Sequence, residues 1–133
     1  MKKLVFFIFV TAAFICCKKG GKDHPAANNL INKWEIRTSV GGIAGTINYQ
    51  PGNGTRLEFK SDNSFAQYEN GNIFQSGTYD LQSTSEPDQY RLTFHTNVRE
   101  ISQNVILKGD TLVLLKLEPC CDFPDNTYVR INK

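Results

Sequence analysis

The sequence is poor in the residues and motifs from which most active sites are built. It contains only two histidines, His24 and His95, and none of its serines lies in a G-x-S-x-G or S-x-x-K motif. No Gly-rich phosphate loop precedes a helical segment. A histidine without an orienting partner is seldom a general base, because proton transfer needs a base held within hydrogen-bonding reach. We therefore expect no catalytic residue, no cofactor and no metal centre.

An excess of charge of either sign is also missing. The chain carries 15 Lys and Arg residues against 13 Asp and Glu residues. Lys2 and Lys3 stand in front of an apolar N-terminal run, and without them the balance is 13 to 13. Proteins that hold nucleic acid by its phosphates present a basic surface. The charge balance therefore disfavours nucleic acid as a partner.

Long apolar runs are absent except at the N-terminus. Behind a short basic start, residues 4–15 are apolar except for Thr11. This run falls within the roughly 7–15 residues of a secretory signal and is shorter than the ~20 that span a bilayer. We predict a signal peptide over residues 1–16. The polar, Gly-containing segment that follows predicts a flexible tether over residues 17–29.

The apolar run ends at Phe14-Ile15-Cys16-Cys17, directly before the basic tether. This end resembles the lipobox of bacterial lipoproteins, in which a cysteine after a small residue is diacylated before the leader is cleaved. Cys17 is the expected lipid attachment site, because Cys16 then supplies the small preceding residue; Cys16 is the alternative. The resemblance implies a protein that is held at the bacterial cell envelope, in the outer membrane, by its N-terminal lipid anchor.

The rest of the chain, residues 30–133, has no long helical period. It consists of short runs in which apolar and polar residues alternate, as in Lys33–Val40, where Trp34, Ile36 and Val40 fall on one face. Roughly nine such runs, spaced by about 8–12 residues, are typical of an all-β barrel or sandwich. The pattern predicts one domain with one core.

Turn signals separate the runs. Asp62-Asn63, Asn70-Gly71 and Gly109-Asp110 predict tight hairpins, because Asn, Asp and Gly tolerate positive φ. Gly77, inside a run, predicts a bulge or a barrel-corner kink. Consecutive hairpins favour an antiparallel meander, and closure of the meander removes its exposed edges. We predict an antiparallel up-and-down β-barrel of about eight or nine short strands over residues 30–133.

Several runs are similar to those of lipocalin-like domains in small bacterial lipoproteins. The similar segments are Leu30-Ile-Asn-Lys-Trp34, Leu57-Glu-Phe59, Asp62-Asn-Ser-Phe65, Ser76-Gly-Thr-Tyr79 and Tyr128-Val-Arg130. The resemblance implies a barrel whose mouth can hold a small apolar ligand. It also implies that Trp34 lies at the closed end, with Arg130 stacked across its ring.

Alternation along the strands predicts which side chains point into the barrel. An eight-stranded barrel is just wide enough to be filled by side chains or to hold one small ligand, and the sequence leaves both possibilities open. The residues expected to line the interior, and hence any ligand cavity, are Ile36, Ile47, Tyr49, Phe59, Phe65, Tyr79, Leu92, Phe94, Val105 and Leu114.

Cys120 and Cys121 are adjacent and lie between two prolines. They could be reduced thiols of a structural loop, a vicinal disulfide or soft metal ligands. Adjacent Cα atoms lie about 3.8 Å apart, below the roughly 4.4–6.8 Å usual for a disulfide, so a vicinal bridge would be strained. A zinc site would need two further ligands.

These observations predict a membrane-anchored, non-enzymatic envelope protein whose barrel binds a small apolar or amphipathic ligand. The alternative is a filled barrel that acts as a protein-interaction or inhibitor module with no small-molecule ligand. That module would bind an envelope protein through loops such as Gly41-Gly42, Gln50–Thr55 and Cys120–Asn126.

Overall fold

The computed structural model describes residues 25–42, 44–116 and 123–131. The described chain forms one short helix followed by nine strands. They are α1 (Pro25–Leu30), β1 (Asn32–Val40), β2 (Thr46–Asn48), β3 (Arg56–Phe59), β4 (Ser64–Glu69), β5 (Asn72–Ser83), β6 (Gln89–His95), β7 (Glu100–Lys108), β8 (Thr111–Leu114) and β9 (Asp125–Arg130).

The strands form one antiparallel sheet that closes on itself. Its order is β2-β1-β3-β4-β5-β6-β7-β8-β9, and β1 also pairs with β9. Strands β1 and β3 to β9 therefore make an eight-stranded barrel, and β2 is an extra strand beside the second half of β1. The predicted antiparallel up-and-down β-barrel is confirmed, and it is consistent with the lipocalin-like resemblance.

The barrel has two different ends. Because neighbouring strands run in opposite directions, their connections alternate between the ends. The base is the end that carries the β3–β4, β5–β6 and β7–β8 turns, at residues 60–63, 84–88 and 109–110. The mouth is the end that carries the β4–β5 turn and the β6–β7 loop, and it is where β8 ends and β9 begins.

Helix α1 closes the base over Trp34. The Trp34 side chain is fully buried, and its indole N–H donates a hydrogen bond of 2.8 Å to the carbonyl of Leu30. The guanidinium of Arg130 lies 5.0 Å from the centroid of the Trp34 ring and donates to the carbonyls of Asn29 and Gly109. The stacking of Arg130 on Trp34 that the resemblance implied is therefore present, and such a stack contributes roughly 0.5–2 kcal/mol.

The first five residues of helix α1, residues 25–29, belong to the segment that was predicted to be a flexible tether. Its apolar residues Ala26 and Leu30 are buried, at 8% and 0% exposure. Proline at the first helical position favours such a start, because its φ is already helical. The remaining tether and the predicted signal peptide lie outside the described residues. No helix in the described part of the chain is both long and apolar enough to cross a membrane.

Side chains fill the half of the barrel next to the base. The aromatic rings there pack edge to face, with 5.0 Å between the ring centroids of Phe59 and Tyr79 and 4.8 Å between those of Phe65 and Phe94. Burial of large apolar side chains contributes roughly 1.5–3 kcal/mol each, so this half carries most of the stability. The most deeply buried large side chains are Trp34, Phe59, Leu30, Leu92, Leu112 and Val105.

A β-bulge in β1 overturns part of the predicted alternation. Opposite β9, Ile36 pairs with Tyr128 and Thr38 with Thr127, so Arg37 is an extra residue. One extra residue reverses which side chains face inward beyond it. Ser39 is accordingly buried, and the prediction that Val40 faces inward is wrong, because its side chain is 48% exposed.

The predicted turns are present, but Gly77 has a different role. Asn70 and Gly71 both have positive φ, as a two-residue type I′ hairpin requires, and Asn63 is also left-handed. The bulge in β5 lies at Phe74, because Gln67 pairs with Gln75 and Tyr68 with Ile73. Gly77 pairs with Phe65 in regular register. A glycine is needed there because the backbone of His95 approaches closely, and a Cβ at position 77 would overlap the His95 carbonyl oxygen.

Glu35 fixes the loop between β2 and β3 against the outside of β1. Its carboxylate, in a residue only 6% exposed, accepts the N–H of Gly52 at 3.0 and 3.1 Å and forms an ion pair with Arg37. Burial by itself raises the pKa of Glu35. The hydrogen bond from Gly52 and the charge of Arg37 together outweigh burial and hold the pKa below its usual value.

Candidate functional site: a cavity at the mouth

A cavity of about 240 Å³ opens at the mouth of the barrel. Its floor is apolar, because Leu57, Phe94, Leu114 and the ring of Tyr128 are each at most 7% exposed. Polar side chains stand above this floor. The residues that line the cavity are Leu57, Gln67, Phe74, Gln75, Phe94, Arg99, Ile101, Gln103, Leu114, Phe123, Asn126 and Tyr128.

Strand register places carboxamide side chains on the inner face. Residues that are directly opposite each other on neighbouring strands share a face of the sheet. Gln67 lies opposite both Leu57 and Gln75, so these three residues share the inner face. By the same rule, Gln103 lies opposite the buried Leu92, and Asn126 lies opposite Leu114.

These carboxamides have no internal partners. The side chains of Gln67, Gln75, Gln103 and Asn126 make no hydrogen bond to any other described residue. Each carboxamide offers two N–H donors and one carbonyl acceptor. A ligand that entered the mouth would therefore find donors and acceptors that are already free.

Tyr128 adds a hydroxyl to the cavity. Burial, together with the nearby Tyr49 and Glu69, raises the pKa of Tyr128 far above its usual value. The phenol is therefore neutral and remains a hydrogen-bond donor. Within the described residues its hydroxyl has no hydrogen-bond partner.

Arg99 is the charged residue among those that line the cavity. Its backbone is fixed in the β6–β7 loop, where its N–H donates to the Thr96 hydroxyl at 3.1 Å and its carbonyl accepts from that hydroxyl at 2.8 Å. Its guanidinium has no ion-pair partner in the part of the chain that the structure describes. Arg99 can therefore offer its charge to a ligand at the rim.

Protein-family models, curated proteins and solved structures were compared with the chain. No match was found.

Most of the side chains predicted to line a cavity lie elsewhere. Phe94 and Leu114 are in the cavity wall. Tyr49 is half-buried and packs against the filled core. Six others belong to that core: Ile36, Phe59, Phe65, Tyr79, Leu92 and Val105. The prediction that Ile47 is enclosed is wrong. It lies opposite Ser39, but none of the described strands pairs with the other edge of β2, and the Ile47 side chain is 41% exposed.

The inward carboxamides were not predicted, because polar residues on an alternating strand are expected on the outer face. Their phase along the strands would have identified them. Gln67 comes two residues after the buried Phe65, Gln103 two before Val105, and Asn126 two before Tyr128. In a regular strand, residues two apart share a face.

His95 lies outside the barrel, where it joins three strands. Its Nε2 is 2.8 Å from a carboxylate oxygen of Asp80, and its Nδ1 is 3.1 Å from one of Glu100. The hydrogen bond to Asp80, helped by the charge of Glu100, raises the pKa of His95. Both ring nitrogens of His95 therefore already have partners.

All four cysteines, Cys16, Cys17, Cys120 and Cys121, lie outside the described residues. Among the residues that are described, no group of three or more His, Cys, Asp or Glu side chains is placed to hold a metal ion.

Proposed function

We propose that the barrel binds a small amphipathic molecule in the mouth cavity. The supporting observation is the combination of an apolar floor with polar groups that have no internal partner. The apolar part of the ligand packs on Leu57, Phe94 and Leu114, and its polar end is bound by the carboxamides and the Tyr128 hydroxyl. The guanidinium of Arg99 adds affinity when that end is anionic.

The size of the cavity limits the ligand. A dry cavity of about 150 Å³ holds a benzene molecule, so a cavity of about 240 Å³ suits a ligand of roughly ten non-hydrogen atoms. This size corresponds to one substituted ring or a short chain with a single polar group. A barrel that has no ligand and is filled throughout fits this cavity less well.

Native mass spectrometry of residues 22–133, purified from the expression host, tests the proposal. We expect a co-purifying small molecule that denaturation releases. Gln103→Phe, which fills the mouth from the inner face, should weaken binding at least about tenfold. Asn104→Phe is the matched control, because its side chain is exposed on the same strand, and it should leave binding unchanged.

Two results would contradict ligand binding in the cavity. The first is a bare mass, together with no uptake of small apolar fluorescent probes at any concentration. The second is binding that Gln103→Phe and Asn104→Phe affect equally, because the ligand would then lie outside the mouth.

We further propose that the protein is a lipoprotein of the bacterial outer membrane, anchored through Cys17. The proposal rests on the sequence alone, on the apolar run that ends at the cysteine pair. Membrane fractionation tests it. Cys17→Ser should release the protein from membranes, and Cys16→Ser should not. The opposite pattern would assign the lipid to Cys16.

A further inference from the structure

Strand β5 is longer than its neighbour β6, with 12 residues against 7. Its pairing with β6 begins at Thr78, opposite His95. Residues 72–77 pair with β4 on the other side only. The β6 side of this segment therefore has no strand partner among the described residues, although the barrel is closed elsewhere.

The register shows which backbone groups face this open edge. Asn72 pairs with Glu69 across the two-residue β4–β5 turn, so the backbone N–H and C=O of Asn72 point toward β4. The backbone groups of the next residue, Ile73, therefore point away from β4, toward the open edge. Farther along β5, the backbone N–H of Tyr79 donates to the carbonyl of Asn63 in the β3–β4 turn, so Tyr79 points toward the β4 side. Backbone direction alternates along a strand, so the N–H and C=O of Ser76, three residues earlier, point toward the open edge. Ile73 and Ser76 thus present an N–H and a C=O each to an incoming strand.

The edge lacks the charged residues and prolines that often prevent strand addition. Exposed edges commonly carry Lys, other charges or Pro. The segment Asn72-Ile-Phe-Gln-Ser-Gly77 has none of these, and Ile73 and Phe74 are 63% and 62% exposed. The bulge at Phe74 limits the regular ladder to a few residues, so binding here would be weak rather than irreversible.

A groove of about 560 Å³ runs beside the edge. Its far wall is the β6–β7 loop, which is fixed by a hydrogen bond of 3.1 Å from the Thr96 N–H to the Arg99 carbonyl. None of the lining side chains is charged; they belong to Ile73, Phe74, Gln75, Ser76, Thr96, Asn97 and Val98, with Gly77 completing the wall. The groove therefore matches an uncharged occupant.

We propose that this edge binds an extended, uncharged peptide segment of a partner protein as an added strand. Unpaired backbone groups give affinity for any extended backbone, and exposed apolar side chains select β-branched or aromatic neighbours. A second copy of the barrel fits less well. In a second copy, the β6–β7 loop also lies beside the β5 edge, so two such loops would obstruct the pairing of two β5 edges. This inference does not rest on the ligand proposed for the mouth, although Phe74 and Gln75 line both the cavity and the groove.

The probe is the peptide Thr-Val-Thr-Val-Thr-Val, labelled with fluorescein at its N-terminus and amidated at its C-terminus. Titrated with the full chain, it should show saturable anisotropy and slow the hydrogen exchange of the Ile73 and Ser76 amides. Ile73→Lys should weaken binding at least about tenfold. Ile47→Lys, the same change at another exposed isoleucine on an edge strand, should not. A peptide N-methylated at every residue keeps its side chains, loses all of its donors and should not bind.

Three outcomes would overturn the proposal. One is the absence of saturable binding. Another is equal binding of the N-methylated peptide or of the Ile73→Lys protein, which would mean that the backbone edge is not used. The last is slow exchange at Ile73 and Ser76 that depends on protein concentration without peptide, which would make a second copy the occupant.

Discussion

Replacing Glu35 by Gln tests how the β2–β3 loop is held. The substitution keeps the shape of the side chain and removes its charge. Hydrogen bonds to charged groups contribute about 1.5–3 kcal/mol, and the residue is 6% exposed, so solvent screens little of the interaction. We expect Glu35→Gln to lower the free energy of unfolding by about 2 kcal/mol at pH 7, and the melting temperature by roughly 10 °C.

The pH dependence of this difference gives a second readout. The pKa of Glu35 is lower in the folded state than its ordinary value, which the unfolded chain keeps. The stabilisation is therefore complete above the unfolded-state pKa and is lost as the pH falls through the folded-state pKa. Urea unfolding of both proteins between pH 7 and pH 3 should show their curves converging at the acidic end.

The control is Glu58→Gln, a glutamate on β3 whose carboxylate accepts only a long hydrogen bond of 3.3 Å from the Tyr68 hydroxyl. It should change stability by less than about 0.5 kcal/mol. Our account of the loop would be refuted by equal stability of Glu35→Gln and the unsubstituted protein at pH 7. A difference that persisted undiminished at pH 3 would refute the role of the charge.

Two further changes probe the wall of the barrel. Asp80→Asn should lower the pKa of His95 in an NMR titration, and an unchanged pKa would rule out the cross-strand pair as its cause. Because the folded-state pKa is raised, the stabilisation by His95 is present below about pH 6.5 and is lost as the pH rises through the folded value. Gly77→Ala should cost about 3 kcal/mol or more in a denaturant titration, since the new Cβ overlaps backbone. Gly109→Ala, with open space around it, should cost only about 1 kcal/mol, and equal losses would contradict the close approach.

The fold could be predicted because its signals are local. Period-two alternation identified the strands, and Asn70-Gly71 fixed a hairpin from two residues. The bulge at Arg37 could not be predicted, since nothing in Lys33–Val40 marks where the alternation reverses. Helix α1 was missed for a related reason: six residues show no helical period, and Leu30 is held in place by tertiary contact with Trp34.

The site was harder to predict than the fold. Large apolar residues pointed inward as expected, but they fill the base and leave little cavity beside them. What distinguishes the mouth is the inward direction of Gln67, Gln75 and Gln103, and polarity alone assigns such residues to solvent. The spacing of these residues from buried residues on the same strand shows that they face inward, because residues two apart share a face. The open edge of β5 depends on the unequal lengths of β5 and β6, which only the pairing reveals.

The barrel has a packed base and a mouth lined by polar side chains, and this division affects how its ligand specificity could evolve. The side chains that hold the fold together and those that face the cavity form largely separate sets along the same strands. An exchange at Gln75 or Gln103 leaves Trp34 and the base untouched. Related sequences could therefore diverge in what they bind while keeping one architecture, and a library randomised at the mouth carboxamides would sample new ligands on a scaffold that still folds.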